Sequence, residues 1–134
     1  MGLPTFEPWT ELTESMLQKE EEFTAILQQH THPDWIKSDE IAVRLGWVVS
    51  AGRNRGKPET SMVRLMVAYL RIQHQMPIAS QGAGYCVATR PEHLDLTIAQ
   101  LQGRLTKQRM TCDAVVRARR NLRAGALDQL RIPF

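Results

Sequence analysis

Cysteine is scarce: Cys86 and Cys112 are the two among 134 residues. They have no metal-ligand spacing and make no disulfide framework, which excludes a zinc module and a disulfide-stapled secreted scaffold. Both are expected as small interior or half-buried residues of a reducing compartment, Cys86 in a strand and Cys112 in a helix. Aromatics are few and scattered, at 6%, which argues against a single-strand surface built on base stacking. Long apolar runs are missing as well. No stretch approaches the ~20 residues of a membrane span, and Met1 to Thr5 has no basic region followed by an apolar one. The expectation is a cytoplasmic protein that does not engage a membrane. Gly-x-Ser-x-Gly, HExxH, a supported Cys/His arrangement and a carboxylate pair are all missing. A non-enzyme with no cofactor is therefore expected.

Acidic residues are missing from one region in particular. Residues 41–90 hold seven basic residues against Glu59 alone, a net of +6. Residues 1–40 hold two against nine, a net of −7, and residues 91–134 hold eight against four, a net of +4. The total of +3 is modest; its distribution is what an anionic partner would exploit.

At this length one domain is expected, with a lead and N-terminal helix over 1–37, a central core over 38–88 and a helical segment over 89–134. Pro4 and Pro8 discourage helix in the lead, and Trp9 is expected to pack on the body. A first helix fits residues 10–30. Leu12, Met16, Phe23, Ile26 and Leu27 form its broken apolar stripe, and Lys19 to Glu22 lie on its wet side. His30 and His32 fall in a loop without a third ligand, so no metal site is expected. Trp35 and Ile36 read as a hydrophobic staple for the helix that follows.

Residues 38–46, Ser-Asp-Glu-Ile-Ala-Val-Arg-Leu-Gly, read as a short helix. Ser38 is the expected cap, Asp39 and Glu40 suit the positive end of the dipole, and Gly46 suits a left-handed stop. A second helix fits residues 59–73, with Val63, Met66, Val67 and Leu70 on one buried stripe. Between them, Trp47 to Val49 either tuck under the core or add a short strand. Gly52 to Pro58 form a flexible basic loop. Gly52 and Gly56-Lys57 echo a phosphate-binding loop, but the spacing is one residue short and Pro58 replaces the Ser or Thr. Then come two short runs, Pro77 to Ser80 and Tyr85 to Ala88, around Gln81-Gly82-Ala83-Gly84, as in a tight hairpin.

The order Ser38 to Gly46, then Met62 to Arg71, then Pro77-Ile78-Ala79-Ser80 with Gly84-Tyr85 resembles the winged helix-turn-helix family, in particular small regulators of bacteria and phages. The resemblance spans residues 38–88, and it departs from the family in the long link between the two central helices. It implies a mainly α fold with a small β-hairpin. It also implies binding of double-stranded DNA by a transcriptional regulator. Ser61 and Arg64 would then contact bases. Loop charge beside a helix N-terminus points Arg53, Asn54, Arg55, Lys57 and Thr60 to phosphates, with a solvated loop as the alternative, and Arg71 is a further candidate. Arg71 suits a structural role as well. Gln81 would be a wing contact, although no Arg or Lys lies at that tip. The alternatives are a protein-interaction module of the same fold, such as a phage inhibitor of host machinery, and an accessory factor in DNA replication or packaging.

After the hairpin, Thr89-Arg90-Pro91-Glu92 matches a capping box ahead of a long helical pattern. Leu94, Ile98, Leu101 and Leu105 keep a spacing of three or four and are expected to pack on the first helix or on a second copy in a homodimer. Gly103 is an expected weak point, the register is expected to restart near Thr111, and Gly125 is expected to end the helix. Arg117 to Arg123 form a basic end, suited to phosphate or to solvent.

Overall fold

The computed structural model describes Leu12 and residues 14–124. The expected packing of Trp9, the start of the first helix at Thr10 and the helix stop at Gly125 lie outside the described residues. The chain divides into two compact units, one up to Thr97 and one from Ile98 on. It is mainly helical, with a small three-stranded antiparallel sheet and a long C-terminal helix.

The first unit opens with two helices, α1 (Glu14–Gln18) and α2 (Glu20–Gln28), instead of one. The break falls at Lys19, whose backbone leaves the helical region at φ −91°, ψ 4°. No Gly or Pro marks it, and the stripe survives it: Met16, Phe23 and Leu27 are all buried. Next comes β1 (Ile36–Lys37), a strand where a hydrophobic staple is expected. Ile36 is fully buried, and it pairs with Tyr85 across the sheet.

Helix α3 (Ser38–Arg44) begins at Ser38, so Ser38 is not its cap. Lys37 holds that position without a side-chain bond, Ser38 is buried, and its backbone N–H donates to the Ala83 carbonyl at 2.8 Å. The helix start is tied to the hairpin turn instead. Its end is as expected. Gly46 sits at φ +73°, the Gly46 N–H donates to Val43 O, and the Trp47 N–H reaches back to Ala42 O. This is the two-bond Schellman stop that a left-handed glycine permits.

Helix α4 (Thr60–Gln73) buries the expected stripe of Val63, Met66, Val67 and Leu70. These residues join Phe23, Leu27, Ile36, Ile41 and Ile78 in one core. The hairpin follows, β2 (Ile78–Gln81) and β3 (Gly84–Val87), with strand order β1-β3-β2. Gln81 pairs with Gly84, leaving a two-residue turn. Gly82 takes φ +59° there, at the first central position, where II′ turns take glycine. Gly84 is spared positive φ, but a Cβ on it would meet the Cβ of Trp35 at 3.4 Å.

Pro91–Leu94 form one 3-10 turn. Its cap is not the expected Thr89–Glu92 box. His93 turns back, and its Nδ1 accepts from the N–H groups of Thr89 and Arg90 at 3.2 and 3.3 Å. An imidazole reaches back where the shorter proline-led turn leaves Glu92 directed elsewhere, 3.7 Å from Arg90. Helix α5 (Asp95–Arg123) follows. It passes through Gly103 and Thr111 without a break, against the expected weak point and restart. The Thr106 and Thr111 hydroxyls donate to carbonyls four residues back, at 3.0 Å each. Cys86 is buried as expected, whereas Cys112 is exposed. No helix among the described residues is long and apolar enough to cross a membrane.

Candidate nucleic-acid interface

The second unit's helix aside, the expected contact residues lie on α4, on the segment before it and on the hairpin. That segment closes on itself. Trp47 is buried with its ring 5.9 Å from that of Phe23, and its carbonyl accepts the Glu59 N–H at 2.9 Å. Val48 bridges Pro58, the Val49 N–H donates to Lys57 O at 2.9 Å, and the Gly56 N–H donates to Val49 O at 2.8 Å. Within the tip, the Arg55 N–H reaches Gly52 O and the Lys57 N–H reaches Asn54 O. Gly52 and Gly56 sit at φ +87° and +84°, where a side chain would be strained. The loop is therefore a folded tip on a short base, not an open strap.

Arg53, Asn54, Arg55 and Lys57 are all exposed on this tip. Among the described residues, no ion pair engages Arg53, Arg55, Lys57 or Arg64. Two other arginines of the unit are committed. Arg44 pairs with Glu40 at 3.1 Å, and Arg90 lies 3.7 Å from Glu92.

The base anchors the start of α4. Thr60 is half-buried there, and Ser61 and Arg64 are exposed on the first two turns. Ser61 and Arg64 share an open groove of about 460 Å³ with Met16, Met62, Leu65 and Ala68. Met16 of α1 is a member that the sequence pattern shows only as a core residue.

Arg71 stands apart from these groups. Its Nε and Nη2 donate to Ile78 O at 3.1 and 2.8 Å, and Nη2 also reaches Ser80 Oγ at 3.3 Å. The guanidinium thus binds α4 to the edge strand β2, which favours the structural of its two expected roles. The same open edge is held one step further along the strand. Thr97 is buried, and its Oγ accepts the Ser80 N–H at 2.9 Å and donates to Ser80 O at 3.3 Å. Two side chains together occupy backbone groups that an edge strand otherwise leaves open. Gln81 is exposed at the end of β2.

The histidines do not assemble a metal site. His32 stacks on His93 with ring centroids 3.8 Å apart, and His30 Nδ1 lies 3.1 Å from Asp34 Oδ2. Among the described residues, no three His, Cys, Asp or Glu side chains gather as a metal would need. Burial pushes the Cys86 thiol up to about 11, helped by the Asp34 carboxylate, so it stays protonated near neutrality. Comparison with protein-family models, curated proteins and solved structures finds no match.

Proposed function

We propose that this chain binds double-stranded DNA as a small regulator of the winged helix-turn-helix kind. The observation that carries the reading is the set of basic side chains around the start of α4. Arg53, Arg55 and Lys57 project from a hydrogen-bonded tip directly ahead of the helix, and Arg64 stands on its second turn, all exposed and without ion pairs among the described residues. Glu59, the acid nearest to them in sequence, makes no ion pair with any of them among the described residues. In this reading the tip contacts phosphates, which position the protein. Arg64 and Ser61 contact base edges, which specify the site. Arg71 contributes by fixing the hairpin against α4, and self-association through α5 would bring two copies to one duplex.

A protein partner is the second reading, and one observation favours it. Met16, Met62, Leu65 and Ala68 give the groove beside Arg64 an apolar floor. The two readings separate in a binding titration with a random duplex and with a selected target duplex. DNA binding predicts affinity that falls steeply with salt. It also predicts that Arg64→Ala narrows the preference for the selected duplex by ~1–3 kcal/mol while leaving random-duplex affinity nearly unchanged. Binding that is absent at low salt would leave the protein-docking reading in its place.

A further inference from the structure

Among the described residues, helix α5 carries a face that is exposed along its length. Its continuity through Gly103 and Thr111 lets one heptad register run its whole length. Ile98, Leu105, Cys112 and Arg119 fall at a positions. Leu101, Gln108, Val115 and Leu122 fall at d positions. Six of these eight are apolar when Cys112 is counted, which is the spacing of a coiled-coil seam. The seam is open to solvent: Leu105 is 65% exposed, Val115 63% and Leu122 51%. The helix is complemented at its ends, by Asp95 in the first turn and Arg120 and Arg123 in the last, but not by ion pairs along its length. It holds seven basic residues against Asp95 and Asp113, and no ion pair within it is found among the described residues. A lone polar helix without such pairs needs a partner to persist.

We propose that α5 pairs with α5 of a second copy as an antiparallel coiled coil. Charge decides the orientation. Side by side in parallel, Arg104 at a g position would face Arg109 at the next e position of the second copy, twice by symmetry. Arg119 would meet Arg119 inside the seam, two like charges with little water between them. Turned antiparallel with full overlap, e positions face e positions. Asp95 then faces Arg123 of the second copy, again twice, and the remaining like-charge contact is Arg109 with its own symmetry mate. Each Arg119 is level with Leu101 of the second copy and can run its stem along it to put the guanidinium in water. The apolar layers become Ile98 with Leu122 and Leu105 with Val115. Four heptads with a, d, e and g positions give roughly 16 residues a side, near the lower bound of about 20 for a specific interface. A reversible dimer follows, with an isologous two-fold axis near residue 110. The inference is independent of what the first unit binds.

The orientation is read by disulfide trapping in the full chain. In the antiparallel pair, Cys112 lies about 6 Å along the axis from its symmetry mate, in addition to the ~8–10 Å between helices. That exceeds disulfide reach, so oxidised wild-type protein should stay free of covalent dimer. Two variants, I98C/C112A and L122C/C112A, are mixed in equal amounts and oxidised. The expected product joins one chain of each kind. Either variant alone should give little, because like positions lie about 36 Å apart. Leu105→Asp should weaken self-association in sedimentation by about 100-fold or more. Covalent dimers of wild type through Cys112, or of I98C/C112A alone, would overturn the orientation. Wild type that sediments as a monomer at tens of micromolar would overturn the pairing itself.

Discussion

Replacing Arg71 with Met separates a structural arginine from a phosphate-binding one. Methionine keeps most of the stem that crosses from α4 to β2 and removes the guanidinium. Two donations to Ile78 O, at 3.1 and 2.8 Å, and one to Ser80 Oγ at 3.3 Å go with it. A hydrogen bond from a charged group contributes ~1.5–3 kcal/mol, and a carbonyl left without a partner costs ~1–3 kcal/mol. The two overlap, because water reaches part of this half-buried site. A net destabilisation of about 2 kcal/mol is expected. For a unit of this size that corresponds to a fall in Tm of roughly 8–16 °C. Urea unfolding followed by tryptophan fluorescence measures it, since Trp47 is buried against Phe23 in the same unit. Below the transition, R71M should bind random duplex with nearly the wild-type salt slope. An unchanged unfolding midpoint together with a flatter salt slope would refute the structural role and make Arg71 a phosphate contact.

Further perturbations test other parts of the same framework. Thr97→Val keeps the shape of the side chain but strands both the N–H and the carbonyl of Ser80, so ~1–3 kcal/mol of stability should be lost in chemical unfolding. Leu70→Ala opens a hole in the α4 stripe, where Leu70 is 2% exposed, and should cost ~2–5 kcal/mol in the same assay. Cys86 gives a pH dependence. Its folded pKa, about 11, lies above the ordinary 9.0, so between those values the unfolded chain has already released a proton that the folded chain retains. Stability should therefore fall as pH rises from 9 to 11, by on the order of 2 kcal/mol, and then level off. Cys86→Ala should remove that portion of the fall, as read from unfolding midpoints across the range.

The parts of the fold that sequence expressed are those fixed by local chemistry. Val63, Met66, Val67 and Leu70 repeat at helical spacing, Gly46 supplies a left-handed stop, and Gly82 supplies the turn. Each acts within a few residues. What sequence hid depends on distant partners. Ile36–Lys37 is too short to show alternation, and its pairing strand lies almost fifty residues away. Ser38 has the chemistry of a cap but is drawn into the interior by the Ala83 carbonyl. Gly103 costs a helix about 1 kcal/mol relative to Ala, which a helix of this length tolerates, so the residue is a weak stop signal. At the candidate interface, the charges of the Arg53–Lys57 tip were plain in the sequence. The hydrogen bonds that stiffen that tip were not, and neither was the commitment of Arg71 to β2, because both require the folded backbone.

If the uncommitted basic tip beside α4 binds the phosphate backbone, its three charges must set the salt dependence of duplex binding. Duplex affinity is measured against salt concentration for wild type and for the triple variant R53A/R55A/K57A. Expected are linear log–log plots, weaker binding by the variant to every duplex alike, and a slope smaller by about 0.9 for each phosphate that the variant no longer neutralises, up to three. A variant whose affinity and slope equal those of wild type at low salt would contradict it.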